Sequence, residues 1–190
     1  MYNDLINDIS NNLNKENIPA EISARLKDPR SIFMKMALKE TNIDQLDDII
    51  GFRIIVKDLA SCYKACDIIH KHYNICHGRF KDYITNPKEN HYQSLHTTIL
   101  TKPYNRKIEV QIRSKEMHKI AEVGDANHND YKQNKERLLE NYFPEELDGI
   151  LEPAYLIMVQ FNGSELQLVA YEQEIKRIIR NSTLNYTKEC

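Results

Sequence analysis

The chain has 190 residues, enough for one sizeable hydrophobic core with a small appendage. Its formal net charge of -2, with 41% apolar and 28% charged residues, is ordinary for a globular protein and argues against wholesale nucleic-acid binding, which usually shows a strongly basic balance. No apolar run approaches the roughly 18 residues needed to span a bilayer. The N-terminus MYNDLINDIS carries acids where a secretory signal carries bases, so the cytoplasm is the expected compartment and no membrane partner is expected.

Leu5, Ile6, Ile9 and Leu13 recur at helical spacing and predict a helix from Tyr2 to about Leu13, within an N-terminal helical segment over 1–24. Asp28-Pro29 is a helix start, with aspartate as N-cap and proline at the first helical position. That helix should run through SIFMKMALKE and bury Ile32, Phe33, Met36 and Ala37. Residues 49–56, IIGFRIIV, are a β-rich run short enough for a buried strand. Asp58 then caps a helix whose Leu59, Cys62, Tyr63, Cys66, Ile69 and Tyr73 form one face. Cys62, Cys66 and His70 follow at i, i+4, i+8, with His72, Cys76 and His77 close by; core packing explains them better than a metal site does.

Arg79–Ile84, a turn around Asn86-Pro87 and a strand from about Tyr92 to Leu100 come next. A turn at Lys102-Pro103-Tyr104-Asn105 leads to a strand over Lys107–Arg113, so the two strands should form an antiparallel hairpin. Ser114 can cap a helix holding Met117, Ile120 and Ala121. Strands and helices mixed around a hairpin indicate an α+β class, not a doubly wound parallel sheet. Beyond Lys132 the composition turns charged, Pro144 and Pro153 are expected to interrupt helical patterning, and a helix over about Ser164–Arg180 carries Leu168, Tyr171, Ile175, Ile178 and Ile179. This extension, 133–190, should be mainly helical. Its apolar stripe suits packing on the core or on a second subunit, which would make a homo-oligomer.

The chemistry concentrates in GRFKDYITNPKENHYQSLH, Gly78 to His96, where Arg79, Lys81 and Lys88 alternate with Tyr83 and Tyr92 and two histidines. Cations beside stackable rings suit a ligand with both phosphates and a base. In KIEVQIR, strand alternation puts Ile108, Val110 and Ile112 on one side and Glu109, Gln111 and Arg113 on the other, each about 6.6 Å from the next. Such a row is often a solvated face. Tyr92, Ser94 and His96, sharing one face of the neighbouring strand, shift the reading towards a site. Arg25, Lys27, Arg30 and Lys35 place cations before and inside the second helix, and Ser31 sits near its start, where backbone N–H groups favour anions. Asp47-Asp48 precedes the strand with Arg53, and magnesium would need only one or two carboxylates, such as Asp48 and Glu109, plus substrate phosphates. With five glycines and no G-x-x-x-x-G-K-[ST] or G-x-G-x-x-G, a nucleotide must be held by side chains. No H-E-x-x-H, G-x-S-x-G or paired C-x-x-C occurs.

From about Arg25 to Lys132 the chain resembles the synthetase domain of the RelA/SpoT family, the guanosine tetra- and pentaphosphate synthetases. The matching blocks are RLKDPRSIFMKM, DIIGFRIIV, GRFKDYITNPKENHYQSLHTT, IEVQIRS–KEMHKIAE and HNDYK. The resemblance implies a mixed sheet flanked by helices, related to the nucleotidyltransferases, and transfer of the ATP β,γ-pyrophosphoryl group to the 3′-hydroxyl of GDP or GTP with Mg²⁺. It puts Arg25, Lys27, Ser31, Lys35, Arg53 and Arg113 on ATP, and Lys81, Lys88, Asn90, Tyr92 and His96 on the guanine nucleotide, with Tyr92 stacking on the base. Asp48 would hold magnesium, Glu109 would polarise the 3′-hydroxyl or share the metal, and Gln111 would support it. The alternatives are the same fold with an adenine nucleotide or a tRNA 3′ end as acceptor, as in toxin-like relatives, or a decayed nucleotide-binding fragment. The family usually has glycine where this chain has His91; a positive φ there is tolerated by histidine at a cost. Arg79-x-Lys81-Asp82 resembles the bifunctional long members, but no His-Asp dipeptide of their hydrolase domain occurs, so a stand-alone small synthetase or a separated synthetase fragment is expected.

Overall fold

A computed structural model describes residues 2–39, 41–46, 48–101, 107–123 and 146–186. Asp47, the turn at 102–105, Pro144 and the HNDYK block lie outside them. The chain divides into two compact units, 1–25 with 51–131, and 26–50 with 132–190.

The first unit is built on a six-stranded mixed sheet in the order β1-β2-β6-β5-β3, with β4 also paired to β5. The strands are β1 (Ala20–Leu26), β2 (Ile50–Val56), β3 (Asn74–Ile75), β4 (Lys81–Asp82), β5 (Leu95–Leu100) and β6 (Lys107–Ser114). β5 and β6 form the expected antiparallel pair, while β2 runs parallel to β6. The mixed sheet flanked by helices is the fold class expected from the sequence. Helix α1 (Tyr2–Lys15) packs on α3 (Leu59–His72), and α3 and α4 (Lys115–Val123) pack on β6. Phe52, Ile54, Ile69, Leu95, Ile99, Val110 and Ile112 form the core between them, each no more than 1% exposed.

Helix starts follow local chemistry. Asp58 Oδ1 accepts from the Ser61 backbone N–H at 2.8 Å, and Ser114 Oγ accepts from the Met117 N–H at 3.1 Å. Cys62 and Cys66 are buried on α3, and burial pushes both thiols up to about 12, so they behave as core residues. Cys66 Sγ lies 3.5 Å from His70 Nε2, which itself bonds the Thr97 hydroxyl at 2.9 Å. Leu59, expected on the buried face, stands 51% exposed, since the first helical turn overhangs the core.

The second unit packs α2 (Pro29–Lys39) on α5 (Glu146–Val159), α5 on α6 (Glu165–Tyr186), and α6 on a 3₁₀ turn, Ile43–Gln45. Asp28 caps α2, accepting from the Ser31 N–H at 2.8 Å. Within α2 the buried pair is Ile32 and Met34; Phe33 and Met36, expected in the core, are half-buried because the helix turns Met34 inward instead. Leu168, Tyr171, Ile175, Ile178 and Ile179 are all buried within this unit, so the stripe offered to core or partner is covered by its own chain. Pro153 lies inside α5 rather than ending it. Its ring presses on the carbonyl four residues back, and that residue is Gly149, whose backbone can yield.

Candidate active site

Residues paired across strands project to the same face. Lys81, His96, Gln111 and Arg53 are partners in one row across β4, β5, β6 and β2, and Thr98, Glu109 and Gly51 form the next. The face is not a solvated one. Gln111 is 5% exposed and Arg113 2%, so both must be hydrogen-bonded by protein.

Their bonds form a closed ring. Arg113 Nη2 donates to the Tyr92 hydroxyl oxygen at 2.5 Å and to Gln111 Oε1 at 3.1 Å. Tyr92 Oη and His96 Nε2 are 2.9 Å apart, and His96 Nδ1 lies 3.3 Å from Glu109 Oε1. Gln111 Nε2 donates to Glu109 Oε2 at 3.0 Å, and Arg25 Nη1 donates to Gln111 Oε1 at 3.3 Å. Glu109 thus receives one arm of the ring on each carboxylate oxygen.

Tyr92 sits before β5 begins, not within it, but its hydroxyl still reaches His96. Ser94, expected beside Tyr92 and His96 on the polar face, is fully buried and donates to the Ile112 carbonyl at 3.1 Å, because the chain is not yet in strand conformation there and the alternation of β5 does not extend to it. Lys88 Nζ lies over the rings of Tyr83 and Tyr92, 4.8 and 5.0 Å from their centroids, and Arg113 over Tyr92 at 4.7 Å. Asn90 Oδ1 accepts from the Tyr92 N–H at 3.4 Å. Glu89, Asn90 and His91 make a three-residue loop closed by Lys88 N–H to Tyr92 O and His91 N–H to Lys88 O. The residue ending such a loop takes a left-handed conformation and is usually glycine. Here it is His91, at φ 59°.

Arg53 points to α4, where Glu122 Oε1 lies 3.2 Å from Arg53 Nη1 and 3.8 Å from Arg113 Nη1. Burial first, and then the neighbouring Arg113, lower the Arg53 pKa, while Glu122 opposes them. The Nε atoms of Arg53 and Arg113 are buried without hydrogen-bond partners among the described residues, so those residues answer this cationic pair incompletely.

The second unit holds its own polar cluster. Lys27 Nζ and Lys35 Nζ each lie 2.6 Å from Asp48 Oδ2. Burial works to raise the Asp48 carboxyl, but the two ammoniums hold it below the usual carboxylate range. Its other oxygen, Oδ1, is buried with no hydrogen-bond partner among the described residues. Magnesium takes one or two protein carboxylates and fills its shell with water and phosphate, and the orphaned Oδ1 is a hard oxygen of that kind. Among the described residues no group of three or more His, Cys, Asp or Glu converges to hold a metal. Ser31 lies at the start of α2, but its N–H is already taken by Asp28, so that amide is not open to an anion.

A family described as "Region found in RelA / SpoT proteins" matches residues 24–136. The chain belongs to the RelA/SpoT family. The chain is 46% identical over 125 residues to a GTP pyrophosphokinase rsh of Brucella ovis, a match covering 66% of this chain and 16% of that relative. It is 39% identical over 167 residues to the bifunctional (p)ppGpp synthase/hydrolase RelA of Mycobacterium tuberculosis, covering 88% of this chain and 21% of that one. The chain therefore spans only about a fifth or less of the length of these relatives. The crystal structure of small alarmone synthetase 2 from Bacillus subtilis superposes with a TM-score of 0.52 at 23% identity, covering 100% of this chain and 91% of that one, which shows a shared fold. No helix among the described residues is long and apolar enough to cross a membrane.

One participant named from the sequence gains a place and one escapes it. Tyr83, read as a stackable ring without a role, packs edge-on against Tyr92 and His96, with centroids 6.1 and 5.1 Å away. Glu122 answers the two arginines from α4. The signal for Glu122 was present, since it follows His118 by four residues on a helix leaving the Arg113 strand.

Proposed function

We propose that the chain is a Mg²⁺-dependent pyrophosphotransferase that moves the β,γ-pyrophosphoryl group of ATP to the 3′-hydroxyl of GDP or GTP, making ppGpp or pppGpp. The observation that carries this reading is the ring of hydrogen bonds closing on Glu109, a carboxylate held on both oxygens beside an arginine, a histidine and a tyrosine. The names of the full-length relatives support it.

In this reading the acceptor 3′-oxygen attacks the β-phosphorus of ATP, the bond from that phosphorus to the α,β-bridging oxygen breaks, and AMP leaves with the oxygen. Glu109 takes the hydroxyl proton. Gln111 and His96 hold the carboxylate so that it meets the hydroxyl in one orientation, and such alignment is most of what a phosphoryl-transfer site contributes. Lys81 and Lys88 supply charge for acceptor phosphates, with His96 beside Lys81 on the same row, and Tyr92 supplies a ring for guanine and Asn90 a polar partner near it. Arg25, Arg53, Arg113, Lys27, Ser31 and Lys35 are assigned to ATP. Asp48 would hold Mg²⁺, which when bound neutralises charge on the transferring phosphates.

The test is incubation with ATP, Mg²⁺ and, separately, GDP, GTP, AMP or tRNA, with products resolved by chromatography. Formation of ppGpp or pppGpp with equimolar AMP is expected. Transfer only to AMP or tRNA would move the chain to another acceptor, and nucleotide binding without transfer would make it a binding fragment.

A further inference from the structure

The ring around Glu109 has a direction, and the direction originates at one group. A guanidinium only donates hydrogen bonds. Arg113 Nη2 therefore donates along both of its bonds, to the Tyr92 hydroxyl oxygen and to Gln111 Oε1. The second bond, joined by the one from Arg25, fixes which end of the Gln111 amide is oxygen, so its nitrogen faces Glu109 Oε2. The first bond leaves the Tyr92 proton to be given elsewhere, and His96 Nε2 lies 2.9 Å away to take it. A neutral imidazole that accepts at Nε2 carries its proton at Nδ1. That Nδ1 is the atom facing Glu109 Oε1. Glu109 Oε1 can only accept and so asks for the same tautomer; the tyrosine hydroxyl and the carboxylate hold the imidazole between them, one at each ring nitrogen.

We propose that the Tyr92 hydroxyl, as distinct from its ring, is a positioning group that holds the His96 imidazole from its Nε2 side and thereby the orientation of Glu109. This rests on the reading of Glu109 as the group that meets the attacking hydroxyl. It changes what Tyr92→Phe should do. A tyrosine that only stacks on a base loses little when it becomes phenylalanine; a tyrosine whose hydroxyl also holds the imidazole beside Glu109 loses turnover while keeping its base contact.

The experiment has a nucleotide-free arm and a kinetic arm. In the first, ¹⁵N-labelled wild-type protein at neutral pH is examined by long-range ¹H–¹⁵N NMR of the His96 ring, without nucleotide or metal. The Nδ1–H tautomer with a hydrogen-bonded Nε2 is expected in wild type, and in Tyr92→Phe the Nε2 resonance should move downfield as that hydrogen bond is lost. In the second, kcat should fall about tenfold or more in Tyr92→Phe, as for partners that orient a reacting group, while the acceptor KM stays within about threefold. His96→Asn keeps a donor near the Nδ1 position, so adding Tyr92→Phe to it should cost no further turnover; two changes acting through one group are not additive. An Nε2–H tautomer in wild type would overturn the proposal without any variant, as would Tyr92→Phe with kcat within twofold of wild type. The NMR arm needs no turnover, so a wild-type chain that transfers no pyrophosphate would sink the functional reading and leave the tautomer result standing by itself.

Discussion

Gly51 on β2 lies opposite Glu109 on β6, and a Cβ placed on Gly51 would stand 3.0 Å from the Glu109 carbonyl oxygen. That neighbour is backbone within a hydrogen-bonded parallel pair, so it has little room to yield. The absent side chain lets the two strands approach where the ring's carboxylate is mounted.

Gly51→Ala should therefore strain the β2–β6 pairing and destabilise the protein by about 1–3 kcal/mol, the usual scale of overpacking. Pyrophosphoryl transfer should fall with it even at temperatures where the variant remains folded. Thermal melts and turnover measured together check this, and a variant with wild-type melting and turnover would refute the close-approach role.

Glu109→Gln keeps the shape of the ring's focus and removes its charge. Transfer should drop by about 10²–10⁴, with nucleotide affinities within a few-fold of wild type. Binding by calorimetry alongside turnover separates the two. Retention of more than about a tenth of wild-type turnover would take the reacting role away from Glu109.

Asp48 carries a sign that can be worked out. Its folded pKa is depressed by Lys27 and Lys35 against the pull of burial, so it binds its proton less readily folded than unfolded. Its stabilising contribution is present above the unfolded value of about 3.9 and is lost as pH falls below that through the folded value. Asp48→Asn should flatten this part of an acid-unfolding curve. In assays it should also leave activity that excess Mg²⁺ restores only poorly. An unchanged Mg²⁺ dependence would move the metal to another carboxylate, with Asp47 next.

His91 holds a left-handed backbone that glycine adopts without cost. His91→Gly should match or exceed wild-type stability by up to about 1 kcal/mol, the strain relieved being partly offset by a freer unfolded chain. His91→Val, branched at Cβ, should lose about 1–2 kcal/mol. Urea titrations of both variants decide the matter. A glycine variant less stable than wild type would mean that the histidine ring contributes more than its backbone costs.

What the sequence determined was local. Asp28, Asp58 and Ser114 announced their helices because a capping side chain acts on an amide three residues away. The alternation in KIEVQIR put Glu109, Gln111 and Arg113 on one face, and the resemblance marked His91 as standing where glycine is usual. β1, by contrast, was not read as a strand. In AEISARL the inward residues include Ala20 and Ala24, too small to mark an apolar face, and β1 is held by its neighbour β2. The long-range relations were settled only by tertiary structure. The parallel register that sets Gly51 against Glu109 joins segments far apart in the chain, and so does the bond from Arg113 to Tyr92 that closes the ring. The Lys27 and Lys35 pairing on one oxygen of Asp48 is of the same kind. Sequence periodicity says which face a side chain occupies; which donor it meets there depends on burial, because only groups withdrawn from water must find protein partners.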